Sequence, residues 1–192
     1  MPKFSNSEKK RIYETMLKTG KELFNEKGFY DITAEIIALK IGIAKGTFYH
    51  FFKNKEHLYM VINNNIQDEI FSNIHYMLDD LNTDIPQEQF YQILCYLVDE
   101  FIKNPLIMEI DPMVWKRIEE KAPRECVEKN DMRDFRLLQT LVDAGIRFRY
   151  DLEQTMRILQ LQFLQFSYIR ERTQDIEDMK IILKALSKHL VL

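Results

Sequence analysis

The sequence predicts an all-α protein, with an N-terminal three-helix helix-turn-helix domain and a C-terminal helical bundle, about nine helices in all. Three observations carry this. Apolar residues recur at threes and fours in successive segments, the period of a helix face. After Pro2 no proline occurs until Pro86, so residues 3–85 run through helices without a forced break. Four of the five glycines (Gly20, Gly28, Gly42 and Gly46) lie near the N-terminus, so tight turns concentrate there. On these grounds the head is residues 1–53 and the bundle residues 54–192.

Composition narrows the function classes. A chain of 192 residues with 46% hydrophobic and 30% charged residues has material for one compact domain or two small ones. Its longest apolar runs are far short of a membrane span, and the opening MPKFSNSEKKR has no apolar core of a secretory signal. Cys95 and Cys126 have no metal-ligand spacing, so a reduced cytoplasmic protein with free thiols, no metal and no cofactor is expected. Charge is unevenly spread. Residues 1–57 hold eleven Lys/Arg and seven Asp/Glu, a balance of +4, leaving −7 for the rest of a chain whose net charge is −3. A basic head on an acidic body points to one localised anion-binding face.

Residues 7–27 form the first predicted helix, capped by Ser7, with Ile12, Met16, Leu23 and Phe24 near one face. Gly20 inside it implies close approach by a neighbouring helix, because a helical glycine costs about 1 kcal/mol against alanine. Gly28 ends it, and Phe29 and Ile32 anchor the linker in the core. Thr33 then caps a short helix containing Ile36, Ile37 and Ala38. Gly42 turns the chain, and a second short helix from Ala44 to Phe52 buries Phe48 and Phe52 at a spacing of four. Lys45, Thr47, Tyr49 and His50 are left pointing outward, as on a recognition helix offered to a DNA groove.

A long helix over residues 54–81 follows, capped by Asn54, with the stripe Leu58, Ile62, Ile66, Ile70, Ile74, Met77 and Leu81. Asn63, Asn64 and Asn65 are expected on its exposed side, and His75, beside the stripe, as a surface or satisfied histidine rather than a ligand. Residues 87–103 carry two apolar stripes and belong in the middle of a bundle. Residues 105–118 are broken at Asp111-Pro112. Their Met108, Met113 and Trp115, with Ile70, Ile74, Tyr91, Cys95, Val98, Phe135 and Phe163, are the candidates for an adaptable small-molecule pocket. A helix over 124–144 ends at Gly145, and 146–150 form a short extended link. Two final helices, 152–172 and 174–190, have more apolar surface than one core needs. Leu161, Leu164, Tyr168, Met179, Ile182 and Leu186 are therefore expected to pair with a second copy.

The run from Leu23 to Leu58, ending GTFYHFFKNKEHL, resembles the DNA-binding domain of the tetracycline repressor (TetR) family over residues 8–60. The glycine after the first helix, the threonine cap, the turn glycine, the Gly-Thr-aromatic-Tyr run and the Lys-Glu pair all match. Two positions depart: Ala44 stands where a hydroxyl residue is common, and Gly20 where alanine is usual. The resemblance implies phosphate contacts from Thr33, Tyr49, His50 and Lys55, and base reading by some of Glu35, Lys45, Gly46, Thr47 and Tyr49. Lys53 and Lys55 flank the next helix, whose N-terminus adds its own dipole for a phosphate. The function implied is a ligand-responsive repressor that binds a palindromic operator as a homodimer and is released by an apolar or aromatic effector. Lacking any nucleophile-base or phosphate-loop pattern, the sequence does not suggest an enzyme. The alternative is a helical binding or scaffold protein without an operator.

Overall fold

Ser5, not Ser7, starts the first helix. In the computed structural model, which describes residues 4–80, 85–108, 111–131, 133–164 and 173–192, Ser5 Oγ accepts from Glu8 N at 3.3 Å. Ser5 N in turn donates to Glu8 Oε2 at 2.8 Å. This capping box satisfies two orphan donors, which a lone Ser7 hydroxyl does not. Helix α1 spans Asn6–Lys27 and closes at Gly28, whose φ of 74° suits glycine.

Thr33 caps α2, Ala34–Ile41, accepting from Ile36 N at 3.3 Å. Gly42 takes the left-handed conformation at φ 73° and leads into α3, Lys45–Phe51. Ala44 gives α3 no side-chain cap. Asn54 Oδ1 accepts from His57 N at 2.8 Å to open α4, Lys55–Asp80. Next come α5 (Pro86–Lys103), a 3-10 turn (Pro105–Met108), α6 (Pro112–Lys121), α7 (Arg124–Asp131), α8 (Arg133–Asp143), α9 (Leu152–Leu164) and α10 (Thr173–Leu190). Ten α-helices are thus present among the described residues, against about nine expected, because α7 and α8 lie on either side of residue 132. The fold is all-α with an N-terminal helix-turn-helix.

The chain forms two compact units. The first is Met1–Ile66 with Asp111–Asn130, the second Gln67–Ile110 with Asp131–Leu192. In the first, Met16, Ile37, Phe48 and Leu58 are fully buried. Phe24, Phe29 and Tyr59 meet there with ring centroids 5.1–6.1 Å apart. A Cβ on Gly20 would stand 2.9 Å from Ile62 Cδ1 and 3.0 Å from Leu58 Cδ2, the close approach that its position implied. Helices α6 and α7 are fastened to this same unit. Arg117 Nε donates to Glu56 Oε1 at 2.6 Å, Asn54 Nδ2 to Lys121 O at 2.8 Å and Asn64 Nδ2 to Cys126 O at 3.0 Å. Asn63 and Asn64 are consequently buried rather than exposed. The segment 111–130 covers a side of α4 that the stripe of threes and fours left open.

In the second unit α5 buries Phe90, Ile93, Leu94, Leu97 and Val98. It runs antiparallel to α10, since Gln87 reaches Val191 O and Asp99 pairs with Lys180. Gly145, at φ 104°, ends the α8 turn. The extended link expected after it forms an antiparallel bridge between Phe148 and Val191, supported by Arg149 N to Leu190 O at 2.7 Å. Among the described residues no helix is long and apolar enough to cross a membrane.

Candidate functional site

The outer face of the helix-turn-helix keeps most of the predicted contact residues in solvent. Phe48 and Phe52 are sunk into the core of the first unit, which forces the other side of α3 outward. Lys45, Gly46, Tyr49 and His50 are exposed, Thr47 is half-buried, and Thr33, Glu35 and Lys53 are exposed beside them. Glu35 and Lys45 form an ion pair across the turn, and Lys45 Nζ lies 5.8 Å from the Tyr49 ring centre. The bond from Lys45, helped by those from its own backbone and the Thr33 hydroxyl, holds the Glu35 carboxyl below its usual range. Glu35 raises the Lys45 ammonium in turn. A donor and an acceptor are therefore presented side by side at the start of α3.

Gly46 is informative for what does not surround it. A Cβ built there meets nothing within 4 Å. Packing within the chain does not demand glycine at this helical position, although glycine weakens a helix.

Lys55 departs from expectation. Its residue is 8% exposed, and Nζ donates to Phe29 O at 2.6 Å, Ile32 O at 2.8 Å and Tyr30 O at 3.3 Å. The ammonium also lies 4.4 Å from the centre of the Phe29 ring. Burial, and then the nearby Arg117 charge, pull it below the usual lysine value. A side chain spent on three backbone carbonyls does not reach outward to a phosphate, so Lys55 acts as a clamp on the α1–α2 linker. Lys53, two residues earlier, is the exposed lysine at this end of α4.

The second unit contains a cavity of about 450 Å³ walled by α4, α5, α8 and α9. Of the ten residues proposed from the sequence, Ile70, Ile74 and Phe163 line it. Val98 is fully buried on α5 but is not part of the wall. The Cys95 thiol beside it pushes the Tyr91 hydroxyl up to about 12. Lys184 Nζ covers the Tyr91 ring at 5.1 Å, placing that pair beside α10 rather than on the cavity. Met113 and Trp115 sit on α6 in the first unit, and Met113 is exposed. Phe135 is exposed too, because the buried face of α8 is set by Leu138 and Leu141. The Met108 side chain lies outside the described residues. Sequence reading missed the cavity's polar members, Gln67, Arg133 and Gln160. It followed apolar periodicity, and the available signal was a lone arginine beginning an otherwise leucine-rich helix face.

On the surface of the second unit, Leu161 is 65% exposed, and Leu164 and Ile182 are about half exposed. Ile181, adjacent to Ile182, is 69% exposed. Leu186 is half-buried. Met179 is corrected: it is 2% exposed, with its sulfur accepting from Gln162 Nε2 at 2.9 Å, so it belongs to the core. Tyr168 lies outside the described residues. Among the described residues no group of three His, Cys, Asp or Glu is placed to hold a metal ion.

Residues 16–61 match the family model of bacterial regulatory proteins, tetR family, over the same helices whose caps and turn are described above. Over these residues the chain is similar to the TetR family. Solved structures of TetR-family regulators share its fold along nearly their whole length. A TetR transcriptional regulator from Rhodococcus sp. RHA1 is 22% identical with a TM-score of 0.61, covering 94% of this chain and 96% of that one. FadR from Bacillus subtilis, solved in complex with stearoyl-CoA, is 14% identical with a TM-score of 0.66, covering 91% and 97%. FadR from Thermus thermophilus, a TetR-family repressor solved with lauroyl-CoA, is 20% identical with a TM-score of 0.57, covering 91% and 92%. Among curated proteins, the transposon Tn10 TetC protein of Escherichia coli is 23% identical over 173 residues, covering 89% of this chain and 86% of the relative.

Proposed function

We propose that this protein is a TetR-family ligand-responsive transcriptional repressor rather than an enzyme. It binds a palindromic operator as a homodimer and releases it when a small apolar molecule enters the second unit. The observation that carries this is the outer face of α3. Lys45, Tyr49 and His50 stand in solvent around Gly46, where no internal contact excludes a side chain. A bare backbone at that point lets a duplex come close, and the flanking Lys53 and Lys45 supply charge for its phosphates.

The exposed strip of Leu161, Leu164, Ile181 and Ile182 supports pairing with a second copy. A two-fold dimer sets two recognition helices about 34 Å apart, one turn of the duplex. The cavity supports an effector site, its volume lying within the range of about 300–1,000 Å³ usual for ligand pockets. Helix α4 contributes residues to both units, so a ligand against Ile70 and Ile74 touches the helix that begins at Lys55. To change operator affinity, the effector must bind the DNA-free form more tightly than the DNA-bound one.

The test is a gel shift with the DNA upstream of the protein's own gene, for wild type and Gly46→Ala. Wild type retards the duplex at low salt and loses affinity steeply as salt rises. Gly46→Ala keeps its helical content and binds at least tenfold more weakly. Equal retardation by both proteins removes the close approach at Gly46. No retardation at low salt removes the repressor.

A further inference from the structure

An ion pair bridges the turn of the helix-turn-helix. Glu35, in the first turn of α2, meets Lys45, the first residue of α3, and both side chains are about half exposed. The Thr33 hydroxyl and the backbone at Glu35 bond the same carboxylate, so it is held from more than one side. Lys45 Nζ lies 5.8 Å from the centre of the Tyr49 ring, and the neighbouring Gly46 has open space where a Cβ would stand. The pair is therefore fixed in place yet open to solvent on the face offered to a duplex. Its pattern is one acceptor beside one donor. A G·C base pair shows the complement in the major groove, guanine presenting the acceptors O6 and N7 and cytosine the N4 amino donor. Cytosine N4 is bonded to guanine O6, so donor and acceptor there stand about 2.9 Å apart, the length of a hydrogen bond. The bonded ammonium and carboxylate of Lys45 and Glu35 are spaced on the same scale. An A·T pair fits less well. Its one donor, adenine N6, lies between the acceptors N7 and thymine O4, which repel a carboxylate.

We infer that Glu35 and Lys45 act as one unit that reads a single G·C base pair in each half-site, Glu35 accepting from cytosine N4 and Lys45 donating to guanine O6 or N7. The inference rests on the chain binding a palindromic operator, and it adds which base pair the turn selects and which residue does the selecting. Glu35 is the specificity-determining member. A lysine alone attracts any duplex, because every phosphate carries the opposite charge. A carboxylate is repelled by phosphates and by the acceptors of other base edges, so it is tolerated in the groove only where an amino group meets it. Lys45 holds it ready. Bonded to Nζ, the Glu35 carboxylate has its charge balanced and its orientation set, so little ordering is left for the complex. The other N–H donors of the ammonium serve guanine, while its charge still draws the duplex.

The experiment is selection of duplexes from a randomised library by the full-length protein. Gel shifts at low salt then compare single-base-pair variants of the enriched site for wild type, Glu35→Ala and Lys45→Met. Wild type is expected to enrich a two-fold symmetric site with a fixed G·C pair in each half, and changing that pair to A·T weakens binding about tenfold. In Glu35→Ala the same change costs about twofold or less, while binding to unrelated duplex tightens because a negative charge has left the face. Lys45→Met relaxes the same base pair. Both side chains are about half in solvent, so circular dichroism is expected to show unchanged helix in each variant. If Glu35→Ala weakens every duplex alike, its role is structural and the inference fails. It fails equally if Glu35→Ala keeps wild-type discrimination at every position, or if the two variants relax different positions. A symmetric site with no fixed G·C pair refutes the base assignment and leaves the operator reading standing. If wild type enriches no sequence, the operator reading and the inference fail together.

Discussion

Replacing Lys55 by Met separates a structural lysine from a DNA-contacting one. Methionine keeps an unbranched chain against the Phe29 ring but removes the donor to three carbonyls. Two of those bonds, to Phe29 O and Ile32 O, are buried, whereas the one to Tyr30 O is part-buried and open to replacement by water. A buried acceptor left unpaired costs about 1–3 kcal/mol, so two cost about 2–6 kcal/mol. Removing an ammonium that burial already disfavours returns part of this. The net loss is then about 2–4 kcal/mol of stability, read from urea unfolding followed by circular dichroism. In a salt titration of operator binding by the folded fraction, Lys55→Met keeps the wild-type slope. Lys53→Met does the reverse, staying within about 0.5 kcal/mol of wild type while its slope falls by about one phosphate's worth. The clamp is refuted if Lys55→Met is as stable as wild type and its salt slope drops by about one.

His57 is expected to make the first unit acid-sensitive, since its Nδ1 accepts from Lys53 N at 3.2 Å and does so only while unprotonated. Burial, then the Lys53 charge, lower the His57 pKa below the usual 6.5, with Glu125 opposing. The unfolded chain thus takes up the proton first. Stability held above pH 6.5 is lost as pH falls toward the lower folded value, and His57→Gln flattens that slope in unfolding curves at pH 5–7. Stability that is unchanged or rises on acidification contradicts this. The exposed apolar strip is checked by Ile181→Glu combined with Leu161→Glu. The double variant is expected to sediment as a monomer at micromolar concentration where wild type sediments as a dimer, and an unchanged dimer moves the interface elsewhere.

What could be read from the chain alone was what short-range geometry dictates. Thr33, Gly28 and Gly42 act on backbone groups within a few residues of themselves, so their roles follow from the sequence. Gly20 was legible because a helical glycine needs a reason, and Ile62 and Leu58 are that reason. Lys55 was not. A lysine serves a phosphate or a ring of carbonyls with the same chemistry, and only the fold decides which is near. Asn63 and Asn64 misled for a related cause, since the segment covering them lies some sixty residues away in the chain. Of the ten candidate pocket residues three were legible. Ile70, Ile74 and Phe163 followed from their stripes, but Met113 and Trp115 belong to the other unit, and nothing local to α6 tells which. Arg133 was hidden because apolar periodicity does not point to a charged residue, although among the described residues it is the one charged side chain of the wall.

Hydroxyl-radical footprinting on the DNA upstream of the protein's own gene tests the central proposal most directly. Two protected patches, related by two-fold symmetry and centred about 10 base pairs or a multiple of that apart, are what a dimer presenting two α3 helices must leave. A single patch without symmetry, or an unprotected duplex at a protein concentration that saturates the wild-type gel shift, contradicts it.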